Sequence, residues 1–185
     1  MTEKIKKMIE AMTTDEMKQR LAEYMAADQQ ITPRPVAVEV RLSNINNVRC
    51  RYDVLFITED GQETKVKFRD RCSRLVYIYT LMHPQGYQRR LASANNCQSL
   101  RQLYAMLYFK SSDALMKTIE STGFDHFFSH HIAQSRNAIR QATPHATDFT
   151  IDRPQSHGGK VLIPFVAEGG TVILDNSLRN LTTHY

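Results

Sequence analysis

The sequence predicts an α+β protein in which an N-terminal helical arm precedes a small antiparallel sheet and a helical unit that ends in a β-hairpin. Apolar residues recur with a helical period over residues 2–28, with a period of two from Val36, and with a helical period again from Arg71. The 185 residues fit one domain with an appendage, or two small domains. We therefore expect a helical arm over residues 1–30, a β platform over 36–69 and a helical unit over 70–185, with 36–185 forming one domain.

The composition indicates a folded protein with a mild positive charge. Hydrophobic residues make up 42% and charged residues 23% of the chain, which is enough to bury a core. The net charge of +5 permits contact with nucleic acid or an acidic partner without requiring it. The three cysteines, Cys50, Cys72 and Cys97, are odd in number and form no CxxC pair, so we expect reduced thiols. No signal peptide or membrane-spanning stretch is evident, which predicts a cytoplasmic protein without a membrane partner.

The N-terminal arm carries two short apolar stripes. Thr13 and Glu16 between them have the spacing of a capping box, so the helix is expected to be interrupted there. The segment is too small to hold a core of its own. It either packs on its own domain, which we favour slightly, or pairs with a homodimer or protein partner through residues 1–28.

Three strands are predicted after a proline-containing linker at Thr32–Pro35. They are Val36–Leu42, Arg51–Thr58 and Thr64–Phe68. A turn is expected at Asn44–Asn47, and Glu59-Asp60-Gly61 is typical of a hairpin turn. Together these segments predict a small antiparallel sheet that precedes the helices.

Four helices and a hairpin are predicted next. The helices run from Arg71 to the stop at His83–Gly86, from an N-cap at Ser99 to Tyr108, over Asp113–Glu120, and over Asp125–Ala142. The last of them is amphipathic, with Phe128, Ile132 and Ile139 on its apolar side. Hairpin strands are expected at Phe149–Ile151 and Lys160–Val166 around the tip Ser156–Gly159, and a final strand is expected at Thr171–Leu174.

Three stretches share their pattern with one known fold. His131–Ile139 corresponds to the third helix of that fold, and Leu100–Tyr104 corresponds to its second helix. Gly61–Leu75 corresponds to its last sheet strand and the start of its first helix. In this order they resemble the winged-helix effector domain of OmpR/PhoB-type response regulators, over roughly residues 50–166. The resemblance implies a winged helix with a C-terminal β-hairpin wing.

The chain departs from that family's pattern at several positions. Ser135 stands where the family usually has a core leucine, and Ala133-Gln134 replaces a usual basic pair. Gly159-Lys160-Val161 stands for the wing's usual Gly-Tyr-Arg, and residues 1–28 are too few for a receiver domain. We therefore expect a divergent, stand-alone version without control by phosphorylation.

The resemblance implies double-stranded DNA binding by a transcriptional regulator, with the helix Asp125–Ala142 in the major groove. His130, Gln134 and Asn137 would face base edges, Arg136 and Arg140 would hold phosphates, and Arg153 and Lys160 would reach the backbone from the wing. The alternative is a winged-helix protein-interaction module that does not bind DNA.

The distribution of basic residues favours that alternative. Residues 124–160 contain only four Lys or Arg residues against three acids, which is few for a groove-binding surface. A denser basic cluster lies over residues 85–118, with Arg89, Arg90, Arg101, Lys110 and Lys117. That cluster would either flank the groove or bind an acidic protein.

Metal binding and catalysis are not expected from the sequence. His126 and His130 have a spacing of four on a predicted helix, with His131 adjacent, but there is no HExxH motif and only Asp125 nearby. No GxSxG motif, P-loop or GxGxxG motif is present. We therefore predict no catalytic residue, no metal and no cofactor.

Overall fold

A computed structural model describes Gln19 and residues 33–43, 50–87, 94–152 and 160–182. For residues 94–96 and 182 it describes the backbone alone. The chain divides into two compact units, residues 1–33 and residues 34–185. The first unit contributes only Gln19, which is helical, and Pro33. Apart from Gln19, the predicted arm lies outside the described residues, as do the turn at 44–47 and the wing tip at 156–159.

A four-stranded sheet forms the β part of this unit. Its strands are β1 (Pro35–Leu42), β2 (Tyr52–Thr58), β3 (Glu63–Lys65) and β4 (Thr171–Leu174), in the order β3-β2-β1-β4. The first three strands pair antiparallel, as predicted, and β4 pairs parallel to β1 with Val38 opposite Val172. The sheet is therefore mixed rather than wholly antiparallel, because the last predicted strand joins it at the edge of β1.

The two faces of the sheet differ in polarity because side chains alternate along each strand. Val38, Val40, Val54 and Phe56 are fully buried on one face. On the opposite face Arg41 pairs with Glu63, and Lys65 pairs with Asp53 at 2.6 Å.

Seven helices are present among the described residues of this unit. They are α1 (Arg71–Leu81), α2 (Ala94–Tyr108), α3 (Asp113–Thr122), α4 (Phe124–Ala142), α5 (Ala146–Phe149), α6 (Pro164–Ala167) and α7 (Asn176–Thr182). The α+β class predicted from the sequence is thus confirmed. The predicted N-cap at Ser99 is wrong, because α2 starts five residues earlier and Ser99 is buried inside it. No helix in the described part of the chain has both the length and the apolar character needed to cross a membrane.

α1 is the central helix of the unit. It starts at Asp70, whose side chain accepts a hydrogen bond of 2.8 Å from the backbone N–H of Ser73. From Leu75 to Leu81 every residue is buried, and α1 packs against both α4 and α2. A helix that is apolar on all sides belongs in a core, so α1 fixes the positions of the helices around it.

The predicted hairpin strands are wrong. Phe149 ends α5, and its ring packs 4.9 Å from the ring of Phe56 and 4.6 Å from that of Phe165. Pro164 opens α6 in place of the second strand, since proline suits the first turn of a helix. Two isolated antiparallel bridges remain: Asp152 pairs with Leu162 between these two helices, and Tyr87, after α1, pairs with Val161.

Candidate functional site

The exposed face of α4 carries polar side chains, as the sequence predicted. His130, Asn137 and Arg140 are exposed, and Gln134 is half-buried. On the opposite side Phe128, Ile132, Ser135 and Ile139 are buried. These four candidate DNA-contacting residues therefore share one accessible face or its edge.

Arg136 and Lys160 contact their own chain. The Nε of Arg136 donates a hydrogen bond of 3.0 Å to the carbonyl oxygen of Ile151, and its Nη2 lies 3.6 Å from Asp152. The Nζ of Lys160 lies 3.4 Å from the carbonyl oxygen of Gln85. Arg136 thus holds the segment after α5 against α4. Arg153 lies outside the described residues.

A polar pocket of about 560 Å³ opens where the chain enters β2, where it enters α1 and where α2 ends. It is lined by Cys50, Phe68, Arg69, Asp70, Arg71, Arg74 and Tyr108. Arg69 and Arg71 are exposed and Arg74 is half-buried. Three guanidinium groups against one carboxylate at the start of a helix make the pocket attractive to anions.

Contacts with neighbouring elements hold Arg71 and Arg74 in place. The hydroxyl of Tyr108 donates a hydrogen bond of 2.8 Å to the carbonyl oxygen of Arg71. The Nη1 of Arg74 lies 3.3 Å from the carbonyl oxygen of Tyr52, and its guanidinium stands over the ring of Phe68. The end of α2 and the start of β2 therefore both hold the first turns of α1.

A fourth arginine stands beside the pocket. The backbone N–H of Arg51 donates a hydrogen bond of 3.0 Å to Leu107, and its guanidinium lies 3.6 Å above the ring of Phe109. Phe109 is 69% exposed and has a φ of 48°. We call Arg51, Arg69, Arg71 and Arg74 the arginine corner.

Sequence reasoning overlooked this corner. Residues 65–74 contain five Lys or Arg residues against Asp70 alone, and this local run is the signal that could have revealed it. Because the run spans the end of a predicted strand and the start of a predicted helix, the pattern of either element alone does not reveal its charge. Of the basic cluster expected over residues 85–118, Arg101, Lys110 and Lys117 are exposed, while Arg89 and Arg90 lie outside the described residues.

The corner is joined to α4 by Asp70. The Oδ1 of Asp70 lies 3.3 Å from the Nδ1 of His131. Burial opposes ionisation of Asp70, but its contacts with His131 and with the N–H of Ser73 outweigh this and lower its pKa to about 2. The carboxylate is therefore charged at neutral pH and offsets part of the corner's positive charge.

Cys72 lies beside the same contact. Its thiol sulfur is within 4.8 Å of the ligand atoms of Asp70 and His131. Burial, together with the charge of Asp70, raises the pKa of Cys72 to about 11. Among the described residues, the predicted pair His126 and His130 belongs to no such group of three potential ligands.

The exposed face of α4 lies between two flanks. His131 and Arg136 are five residues apart, so the buried side of the helix between them spans about 140° and the exposed side about 220°. Asp70 and the arginine corner adjoin the edge at His131. Ile151 and Asp152 adjoin the edge at Arg136. The arginine corner thus adds positive charge beside the edge at His131, whereas Arg136 pairs with Asp152 at the other edge.

The arginine corner can bind phosphate oxygens, since guanidinium groups donate paired hydrogen bonds to such anions. The exposed amide of Asn137 and imidazole of His130 can donate and accept hydrogen bonds.

Comparison with known proteins found no matching family model, no matching curated protein and no matching solved structure.

Proposed function

We propose that the protein binds double-stranded DNA, with α4 in the major groove and the arginine corner on a flanking phosphate backbone. The contact between Asp70 and His131 carries the proposal, because it sets the corner beside the exposed polar face of α4. A helix about 10–12 Å across fills a major groove about 12 Å wide. Cations at the edge of the helix then meet the phosphates that border the groove.

The exposed side chains of α4 suit base edges. Asn137 and Gln134 can each form two hydrogen bonds with adenine, and Arg140 can do so with guanine. His130 can serve as donor or acceptor. In this arrangement Arg136 has a positioning role, because its Nε is used by the carbonyl oxygen of Ile151.

A winged-helix arrangement of the helical unit fits the proposal. After α5, Asp152 forms an antiparallel bridge with Leu162, and Val161 pairs with Tyr87, which is the contact that a wing would require. Lys160, which precedes Val161, would then contact the DNA backbone. Transcriptional regulation is the role we propose for this arrangement.

A protein-interaction module is the second candidate, and Phe109 favours it. This ring is 69% exposed and lies under the guanidinium of Arg51. Aromatic and arginine side chains dominate the energetics of many protein interfaces. An acidic protein surface would be attracted to the same corner.

Binding to random-sequence duplex DNA, followed by fluorescence anisotropy from low to physiological salt, tests the first candidate. We expect a steep loss of affinity with salt, because each phosphate contact releases counterions. Replacing Arg69 and Arg71 together by Gln should weaken binding and reduce the slope of log K against log salt by up to about 2.

The matched control is Arg41→Gln with Lys65→Gln. It removes the same charge from the sheet face opposite the buried valines, where these two residues pair with Glu63 and Asp53. Equal losses in the two double variants would show that net charge alone drives binding. No binding by the parent protein at low salt would reject the DNA proposal and direct attention to the protein partner.

A further inference from the structure

We propose that Asp70, Cys72 and His131 bind a zinc ion. A carboxylate oxygen, a thiolate sulfur and an imidazole nitrogen are the three kinds of protein ligand that zinc takes. The corresponding atoms all lie within 4.8 Å of one another. Thiolate and imidazole ligands together favour zinc over magnesium or calcium, which take oxygen ligands.

The spacing of two ligand atoms already fits zinc. Bonds of about 2.0–2.1 Å at a tetrahedral angle place an oxygen and a nitrogen ligand about 3.3–3.4 Å apart. The Oδ1 of Asp70 and the Nδ1 of His131 are 3.3 Å apart. A Zn–S bond of about 2.3 Å requires the sulfur about 3.5 Å from them. The sulfur of Cys72, within 4.8 Å of both atoms, would have to come closer by up to about 1.3 Å.

His131 presents a nitrogen that needs a partner. Its Nδ1 is buried and makes no hydrogen bond with any residue that the structure describes, and its approach to Asp70 lacks hydrogen-bond geometry. A buried polar atom of this kind is rare in native proteins and calls for a physical reason. The ring of Phe127 packs against the imidazole with centroids 4.5 Å apart and holds its orientation. The one contact of Nδ1 among the described residues is its approach of 3.3 Å to Asp70, and a zinc ion placed between these two atoms would bind both.

The ligands come from two helices that pack together. Asp70 caps α1, Cys72 lies in its first turn, and His131 lies in the middle of α4. Zinc binding forms a Zn–S bond, breaks the S–H bond of Cys72 and releases its proton to solvent. Water fills the fourth position, since all three ligand residues are half-buried rather than enclosed. The site would cross-link α1 to α4 whether or not the protein binds DNA.

Cobalt(II), titrated into the full chain, tests the proposal because cobalt takes the same geometry and reports thiolate ligation by its charge-transfer absorption. We expect saturation at one equivalent. Cys72→Ser should abolish the charge-transfer band, and Cys97→Ser, the matched control, should keep it. Cys97 is half-buried and lies outside the group of three.

His131→Asn provides a second variant that leaves the thiol intact. Zinc affinity, measured by competition with a chelating dye, should fall at least tenfold in this variant. Circular dichroism checks that each variant is folded. Absence of the band in the parent protein, its survival in Cys72→Ser, or unchanged zinc affinity in His131→Asn would each overturn the proposal. If Cys72→Ser does not fold, the affinity of His131→Asn decides.

Discussion

The Nε of Arg136 donates a hydrogen bond of 3.0 Å to the carbonyl oxygen of Ile151. Ile151 is fully buried, so this bond provides a partner for a backbone group that water reaches poorly. The accompanying contact with Asp152 is longer, at 3.6 Å, and partly exposed, so it contributes little. Arg136 therefore has a structural role, and the phosphate binding that the sequence predicted for it stays a prediction.

Arg136→Gln should lower the free energy of unfolding by about 1–2 kcal/mol, because the shorter side chain leaves the carbonyl oxygen of Ile151 without its donor. Arg140→Gln, on the exposed face of the same helix, should change it by less than about 0.5 kcal/mol. Urea denaturation measures both. DNA affinity should fall in Arg140→Gln without a change in stability. Equal stability of the two variants would refute the structural role of Arg136.

Ser135 tests how tightly α4 packs. It is fully buried, and its hydroxyl donates a hydrogen bond of 2.8 Å to the carbonyl oxygen of Ile132 in its own helix. Ser135→Ala should change the free energy of unfolding by less than about 0.5 kcal/mol, because alanine has the better helix propensity and the lost bond is local. Ser135→Leu should destabilise by about 1–3 kcal/mol through overpacking. Thermal denaturation distinguishes these expectations, and a stable leucine variant would show unfilled space beside α4.

Gly86 and Gly61 form a matched pair with positive φ, +67° and +78°. A Cβ at Gly86 would lie 2.9 Å from the carbonyl oxygen of Val161, whereas one at Gly61 would meet nothing within 4 Å. Gly61→Ala should therefore cost about 1 kcal/mol of backbone strain. Gly86→Ala should cost at least 1 kcal/mol more, at roughly the level seen for overpacking. Similar Tm values for the two variants would mean that the bridge between Tyr87 and Val161 shifts readily.

His83 should make stability fall in acid. Burial lowers its pKa from the ordinary value of 6.5, although its contact with the carbonyl oxygen of Tyr79 opposes the shift. The unfolded chain therefore binds the proton first as the pH falls. The stability due to neutral His83 is complete above about pH 7 and is lost as the pH falls through the folded pKa.

His83→Asn removes this titration and keeps a side-chain donor. The difference in the free energy of unfolding between about pH 7.5 and pH 5.5 should be smaller in the variant than in the parent protein. Urea denaturation at both pH values measures it. An identical difference in the two proteins would assign the acid sensitivity to other groups.

The spacing of apolar residues predicted correctly those strands and helices that are determined by contacts within a short stretch of sequence. The strand predicted over Val36–Leu42 is present, but of its alternating apolar residues only Val38 and Val40 are buried, while Val36 and Leu42 are exposed. The helical spacing of Phe128, Ile132 and Ile139 matches the structure, because that face of the helix is buried. The pair Phe149 and Ile151 also alternates, yet Phe149 ends a short helix. Its ring is held by Phe56 and Phe165, which are distant in the sequence, and tertiary contact outweighed the local pattern.

The candidate site was only partly predictable for the same reason. The polar face of α4 follows from spacing within one helix. The group Asp70, Cys72 and His131 joins the start of α1 to α4. No short sequence motif predicts this group, because His131 is distant in the sequence from the other two residues. Hydrogen bonds such as that from Arg136 to Ile151 likewise depend on the folded arrangement.

The parallel pairing of β4 with β1 has a consequence for the order of folding. β1 gains its second neighbour only when Val172 meets Val38, at the far end of this unit. During synthesis the ribosome must therefore release nearly the whole unit before the edge of β1 is covered. Contacts of such long sequence separation slow folding. An unpaired strand edge on the nascent chain is a natural place for a chaperone to act.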